Sequence, residues 1–121
     1  MTSSDLSSIP VGAIVLVQFP FSDLTSHKKR PALVLCHVEF SKTIQLITVA
    51  MITSKIDTHG LPGDVYLEDW QTSGLLFPSL VRLSKSVTLE TELILGIRGV
   101  LTKKDHGKVR EQFQILFAPW V

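Results

Sequence analysis

The sequence predicts an α+β, mainly β fold: a small, strongly bent sheet or barrel with one C-terminal α-helix. Three observations carry that expectation. Short apolar runs rich in β-branched residues recur between breaker-rich connections. Paired glycines, Gly96 and Gly99, interrupt the last of these runs as a bulge or corner would. After Val100 the hydrophobic period changes from that of a strand to that of a helix.

In chain order, Val11–Phe19 reads as a first strand, too short and too β-branched for a typical helix. Pro31–Val38 reads as a second, with proline tolerated at the strand's first position. Ile44–Ile52 is the third, closed by Thr53-Ser54-Lys55. Thr58–Gly63 is a loop by its glycines and proline. Val65–Leu67 is a short strand leading into Glu68–Gly74, read as one helical turn stopped by Gly74. Ser79–Leu83 and Leu93–Val100 supply further strands. Thr102-Lys-Lys-Asp105 has the form of a capping box, and Asp105 also suits the positive end of a helix. Val109, Phe113, Leu116 and Phe117 share one helical face, which predicts a helix over Lys103–Phe117 lying across the sheet. Gly107 weakens it by about 1 kcal/mol relative to alanine, and Pro119 ends it.

The 121 residues and 13.4 kDa fit a single domain, 1–121, of which 1–10 is a polar, Ser-rich tail. An apolar content of 45% and a mean hydropathy of +0.30 exclude disorder. They also point to apolar surface covered by a second copy of the chain. No apolar run approaches the roughly 20 residues of a membrane-spanning helix. The lone Cys36 excludes an internal disulfide; a soluble protein of the reducing cytoplasm is expected, with Cys36 a buried, inert thiol. Histidines 27, 37, 59 and 106 fall in unrelated elements, and the pair His37 and Glu39 does not make a zinc site. With no HExxH, CxxC, Walker loop or GxSxG either, neither a metal nor another cofactor is expected. The acidic stretch Asp57, Asp64, Glu68 and Asp69 reads as a solvated face.

With a net charge of only +1, a polyanion site has to be a local patch. One candidate stands out. Pro20–Lys29 joins the first two strands by a connection longer than the roughly two to five residues of a tight hairpin. It ends in a basic cluster, His27-Lys28-Lys29-Arg30, at the mouth of a strand. Arg30 opens the second strand, and Thr53 and Ser54 close the third. If those strands are antiparallel neighbours, all three residues converge on one rim. A guanidinium beside hydroxyl donors suits a phosphodiester and the extra charge of its pentavalent transition state.

At this point the chain resembles the MazF/PemK family of toxin endoribonucleases of type II toxin–antitoxin systems. The likeness runs from Gly12 to about Phe117 and rests on Gly12–Phe19, Arg30-Pro-Ala-Leu-Val-Leu35, Ile52-Thr-Ser54, Asp69-Trp70 with Gly74-Leu75, and Pro78-Ser-Leu-Val-Arg82. It implies an SH3-like barrel of the CcdB/MazF type, a homodimer, and metal-independent cleavage of single-stranded RNA by the substrate's own 2′-hydroxyl. It also implies a cognate antitoxin whose disordered tail folds into a groove on the dimer. By position, Arg30 and Thr53 become the catalytic pair. Ser54, His27, Lys28, Lys29, Ser79 and Arg82 become RNA-binding residues. Since guanidinium deprotonates only above about pH 12, Arg30 acts electrostatically in this reading.

The sequence departs from the family pattern at two places. Ala13 stands where members carry an acid after the first glycine, and Ser79 stands where some carry the acid assigned as base. The base is therefore unassigned, with His27 a candidate by its ordinary pKa near ~6.5 and an exposed loop residue otherwise. Arg82 reads either as a phosphate contact or as a partner of Glu39 or Asp69. Lys28 and Lys29 steer RNA or are ordinary solvated lysines. Trp70 reads as a core plug. Two other functions stay open: a catalytically silent RNA- or antitoxin-binding relative, and a CcdB-like poison of DNA gyrase. Trp120 bears on the last, though a tryptophan closing the helix against the barrel or dimer seam fits better.

Overall fold

Six strands and one long helix follow the order that the hydrophobic pattern predicts. They are β1 (Ala13–Gln18), β2 (Lys29–Glu39), β3 (Gln45–Thr53), β4 (Asp64–Tyr66), β5 (Leu80–Glu90), β6 (Ile94–Val100) and α1 (Lys103–Leu116), with 3₁₀ turns at Thr91–Leu93 and Ala118–Trp120. The structure, a computed structural model, describes residues 9–18, 29–39, 41–56 and 60–120. The expected N-terminal tail up to residue 8, most of the 20–29 connection and His59 lie outside the described residues. Among the described residues, no helix is long and apolar enough to cross a membrane.

The strands form one sheet in the order β4-β5-β3-β2-β1-β6, with every neighbouring pair antiparallel. The α+β, mainly β class stands, but β4 and β6 are unjoined edges, so the sheet is open where a closed barrel was expected. Its curvature comes from breaks in register. On β6, Leu95 and Arg98 have no partner on β1, each beside one of the two glycines noted in the sequence. On β5, Ala50 faces Ser86 while Met51 faces Arg82, so Leu83–Lys85 turn a corner. That corner explains why β5 is longer than the pattern predicts. The polar run Ser84-Lys85-Ser86 hides a strand that returns to the core at Leu89.

Both faces of the central strands are covered, which is why their sequences read as continuous apolar runs. Ala13, Val15 and Val17 of β1 join Ala32, Val34, Ile47 and Val49 in one core. Ile14, pointing the other way, joins Leu33, Ala50, Ile52, Val81 and Val109 of α1 in the second. Ala13, where an acid was noted as usual, is fully buried in the first core. A carboxylate there would need partners that this apolar cluster does not offer.

The N-terminus of α1 differs from a reciprocal capping box. Thr102 Oγ1 accepts from the Asp105 amide at 3.4 Å, as expected. The fully buried Asp105 carboxylate instead accepts from the amides of Glu68, at 3.0 Å, and Asp69, at 2.8 Å. Thr102 Oγ1 in turn donates to Asp69 Oδ2 at 2.7 Å. The helix start is thereby clamped to the turn that follows β4. That turn ends as predicted: Gly74 is left-handed (φ 89°), with Leu75 N–H on Trp70 O and Gly74 N–H on Gln71 O.

Three expectations are corrected. Cys36 is exposed, because Leu35 is an extra residue between Val34 and Cys36 and the strand then runs past its core cover. Of the two places expected for Trp120, the sheet and a dimer seam, the sheet is ruled out, since Trp120 is 89% exposed. The acidic stretch is paired where described: Asp64 holds Arg82, and Glu68 holds Lys104 and Lys108. The Glu68 pairing pushes the Lys104 pKa upward.

Replacing Asp105 by alanine strips two amides of their acceptor, and each buried unsatisfied group costs about 1–3 kcal/mol. Asp105→Ala is expected to lower the urea midpoint by the equivalent of about 2–5 kcal/mol with little change in slope. A midpoint within error of wild type would show that the clamp contributes nothing.

Candidate functional site

The ladder between β2 and β3 positions the rim residues. Ala32 pairs with Met51, and continuing the ladder by two residues sets Arg30 opposite Thr53. On the other side of β3, Thr53 pairs with Leu80, which sets Ser54 opposite Ser79. These residues open onto a cleft of about 590 Å³. Arg30, Thr53, Ser54, Lys29 and Ser79 all line it. His27 and Lys28 lie outside the described residues. Arg82 lies elsewhere. Its guanidinium makes a two-pronged contact with Asp64, Nε and Nη2 each donating at 3.0 Å, and that hydrogen bonding raises its pKa further. The Arg82 partner is thus Asp64, where Glu39 or Asp69 was expected, and Arg82 is not among the described residues that line the cleft.

Two cations that the sequence reading passed over join the site. Lys55 follows the Thr53-Ser54 pair, and Arg98 is the bulged residue of β6. In sequence Arg98 only opens a mostly basic stretch, 98–110; the bulge beside Gly99 brings it to the cleft. Among the described residues the lining thus includes Lys29, Arg30, Lys55 and Arg98 and no Asp or Glu. A protein with a net charge of +1 therefore concentrates positive potential at one place.

The hydroxyls are oriented. Thr53 Oγ1 accepts from the Lys55 amide at 3.1 Å, and among the described residues its proton has no acceptor. A hydroxyl so held has its donor left for a ligand. Ser79 is buried and its hydroxyl donates to the Phe77 carbonyl at 2.7 Å. Its proton is committed to shaping the loop.

That loop, Gly74–Phe77, forms the far wall. Two backbones meet beneath it. A Cβ on Gly74 would lie 2.3 Å from the Arg98 carbonyl oxygen, and one on Gly99 would lie 2.3 Å from that of Ser73. Only glycine at both positions permits the contact. Trp70 packs against the second core, as expected of a core plug.

The family model for the PemK-like, MazF-like toxin of type II toxin–antitoxin systems matches residues 11–117. The chain belongs to that family. Solved structures with the same fold include the Mycobacterium tuberculosis toxin MazF-mt6, at 23% identity and a TM-score of 0.65, over 88% of this chain and 96% of that one. The MazE–MazF structure from Deinococcus radiodurans gives 20% identity and a TM-score of 0.64, covering 90% and 95%. A mycobacterial endoribonuclease in complex with its cognate antitoxin gives 16% identity and 0.64, covering 93% and 99%. No curated protein gives a significant match.

Gly74→Ala forces a β-carbon against a carbonyl and into a left-handed conformation. It is expected to cost at least about 2 kcal/mol in chemical denaturation, combining αL strain of roughly 1–2 kcal/mol with the clash. A Gly74→Ala protein as stable as wild type would mean that the two backbones can part freely.

Proposed function

We propose that this toxin is an endoribonuclease that cuts single-stranded RNA by attack of the substrate's own 2′-hydroxyl, without a metal. The observation that carries the reading is the cationic cleft, with no carboxylate among its described lining residues, in which Arg30 and Thr53 stand on neighbouring strands. A phosphodiester seated there meets a permanent positive charge from Arg30 and a hydrogen bond from Thr53. Both strengthen as the phosphoryl group gains charge in the pentavalent transition state. The 2′-oxygen bonds to phosphorus, the bond to the 5′-oxygen breaks, and a 2′,3′-cyclic phosphate and a 5′-hydroxyl result. One proton leaves the 2′-hydroxyl and one reaches the 5′-oxygen. Arg30 faces the leaving oxygen as an electrostatic group, the role that suits a guanidinium beside a phosphoryl group. Lys29, Ser54 and Ser79 contribute to the RNA surface, as does Lys28. His27 has the pKa range for the proton transfer from the 2′-hydroxyl.

Membership of a type II toxin family further supports a cognate antitoxin as partner, and we extend the reading to a cytoplasmic homodimer. The antitoxin complex of the mycobacterial relative is in line with this.

The test is incubation of the pure protein with a long single-stranded RNA in EDTA. Scission to cyclic-phosphate ends is expected. Intact RNA with retained affinity would instead assign the chain to a silent binding relative. Arg30→Ala is expected to keep the wild-type melting temperature while cleavage falls by at least a hundredfold, the scale of a lost transition-state donor. Cleavage at the wild-type rate in that variant would discard the site. Thr53→Val should reduce kcat more than it raises KM; equal changes in both would make Thr53 a substrate-positioning group only.

A further inference from the structure

Large apolar side chains at the lip of a charged cleft need an explanation, because water gains nothing from them. Phe77 is 63% exposed and Leu76 is 83% exposed, and both line the cleft together with the cations. Their loop is a built feature. It starts at the Gly74 contact with Arg98 and ends at Ser79, whose hydroxyl fixes the Phe77 carbonyl. An aromatic ring is thus presented to solvent on a backbone held at both ends. Arg30, Lys29, Lys55 and Arg98 line the same cavity.

Cations and an exposed ring lining one cleft are the combination with which a protein binds single-stranded nucleic acid. The charges track phosphates and the ring takes the face of a base. A duplex has its base faces covered by stacking and cannot use the ring. A free phosphate or nucleotide-free polyanion would use only the cations. We infer that Phe77 is the base-stacking platform of the cleft, holding an unpaired nucleobase next to the phosphate bound at Arg30. This rests on the single-stranded RNA reading above and adds to it the residue that recognises the base. Each stacked base contributes about 1–3 kcal/mol by alanine substitution, a roughly five- to hundredfold change in affinity.

The experiment compares two fluorescent oligomers of equal length and charge. One is an uncleavable 2′-O-methyl RNA octamer of mixed sequence; the other is an abasic octamer that keeps the phosphates alone. Wild type should bind the first more tightly than the second. Phe77→Ala should lose about five- to hundredfold on the base-bearing oligomer and bind the abasic one as wild type does. Phe77→Tyr should stay within about threefold of wild type, and Phe77→Leu should resemble the alanine variant, which separates a ring face from mere bulk. Equal losses on both oligomers, no loss on either, or a leucine variant as good as tyrosine would each overturn the platform. Wild type binding both oligomers alike would overturn the platform and leave the RNA reading in place. Wild type binding neither would bring down both.

Discussion

The antiparallel pairing of β2 with β3 is the constraint on which the site depends. It sets Arg30 and Thr53 side by side although 22 residues of sequence lie between them. Register in such a pair is strongly specified wherever a face is buried, because a slip of one residue would turn every side chain over. Here both faces are buried: Leu33 and Ala50 point into one core, Val34 and Val49 into the other. A shift would expose apolar side chains on two sides at once. The geometry of the rim is therefore fixed by core residues that take no part in its chemistry.

Electrostatics then separates two kinds of cation. Arg82, Lys104 and Lys108 are matched with Asp64 and Glu68 on the β4 side of the molecule. Among the described residues, the lining of the cleft includes Lys29, Arg30 and Arg98 and no carboxylate. Even with a net charge of +1 the protein therefore offers a polyanion a strongly attractive place at this rim.

Much of this was legible in the sequence, for identifiable reasons. The strands announced themselves because buried β-branched runs leave little ambiguity, and the helix because its period changes after Val100. The rim was legible because Arg30 and Thr53 fall at strand ends, where antiparallel pairing brings them together. What stayed hidden depends on local irregularity. Arg98 reaches the cleft through a bulge, and the long β5 bends through three polar residues that look like a loop. Arg82 read either as a phosphate contact or as a partner of Glu39 or Asp69, because Asp64, its observed partner, lies 18 residues away across a short edge pair. Cys36 looked buried because one extra residue, Leu35, breaks the alternation before it.

The turn from Glu68 to Leu75 is pinned at each end, by the Asp105 carboxylate at its start and by the Gly74 contact with β6 at its finish. Its contour length is consequently frozen. An inserted residue would have to unseat either the helix or the edge strand, so this turn can diversify by exchanging its exposed side chains, such as Gln71 and Thr72, and not by growing or shrinking. Selectivity for different ligands on such a scaffold would be written as spelling, never as spacing.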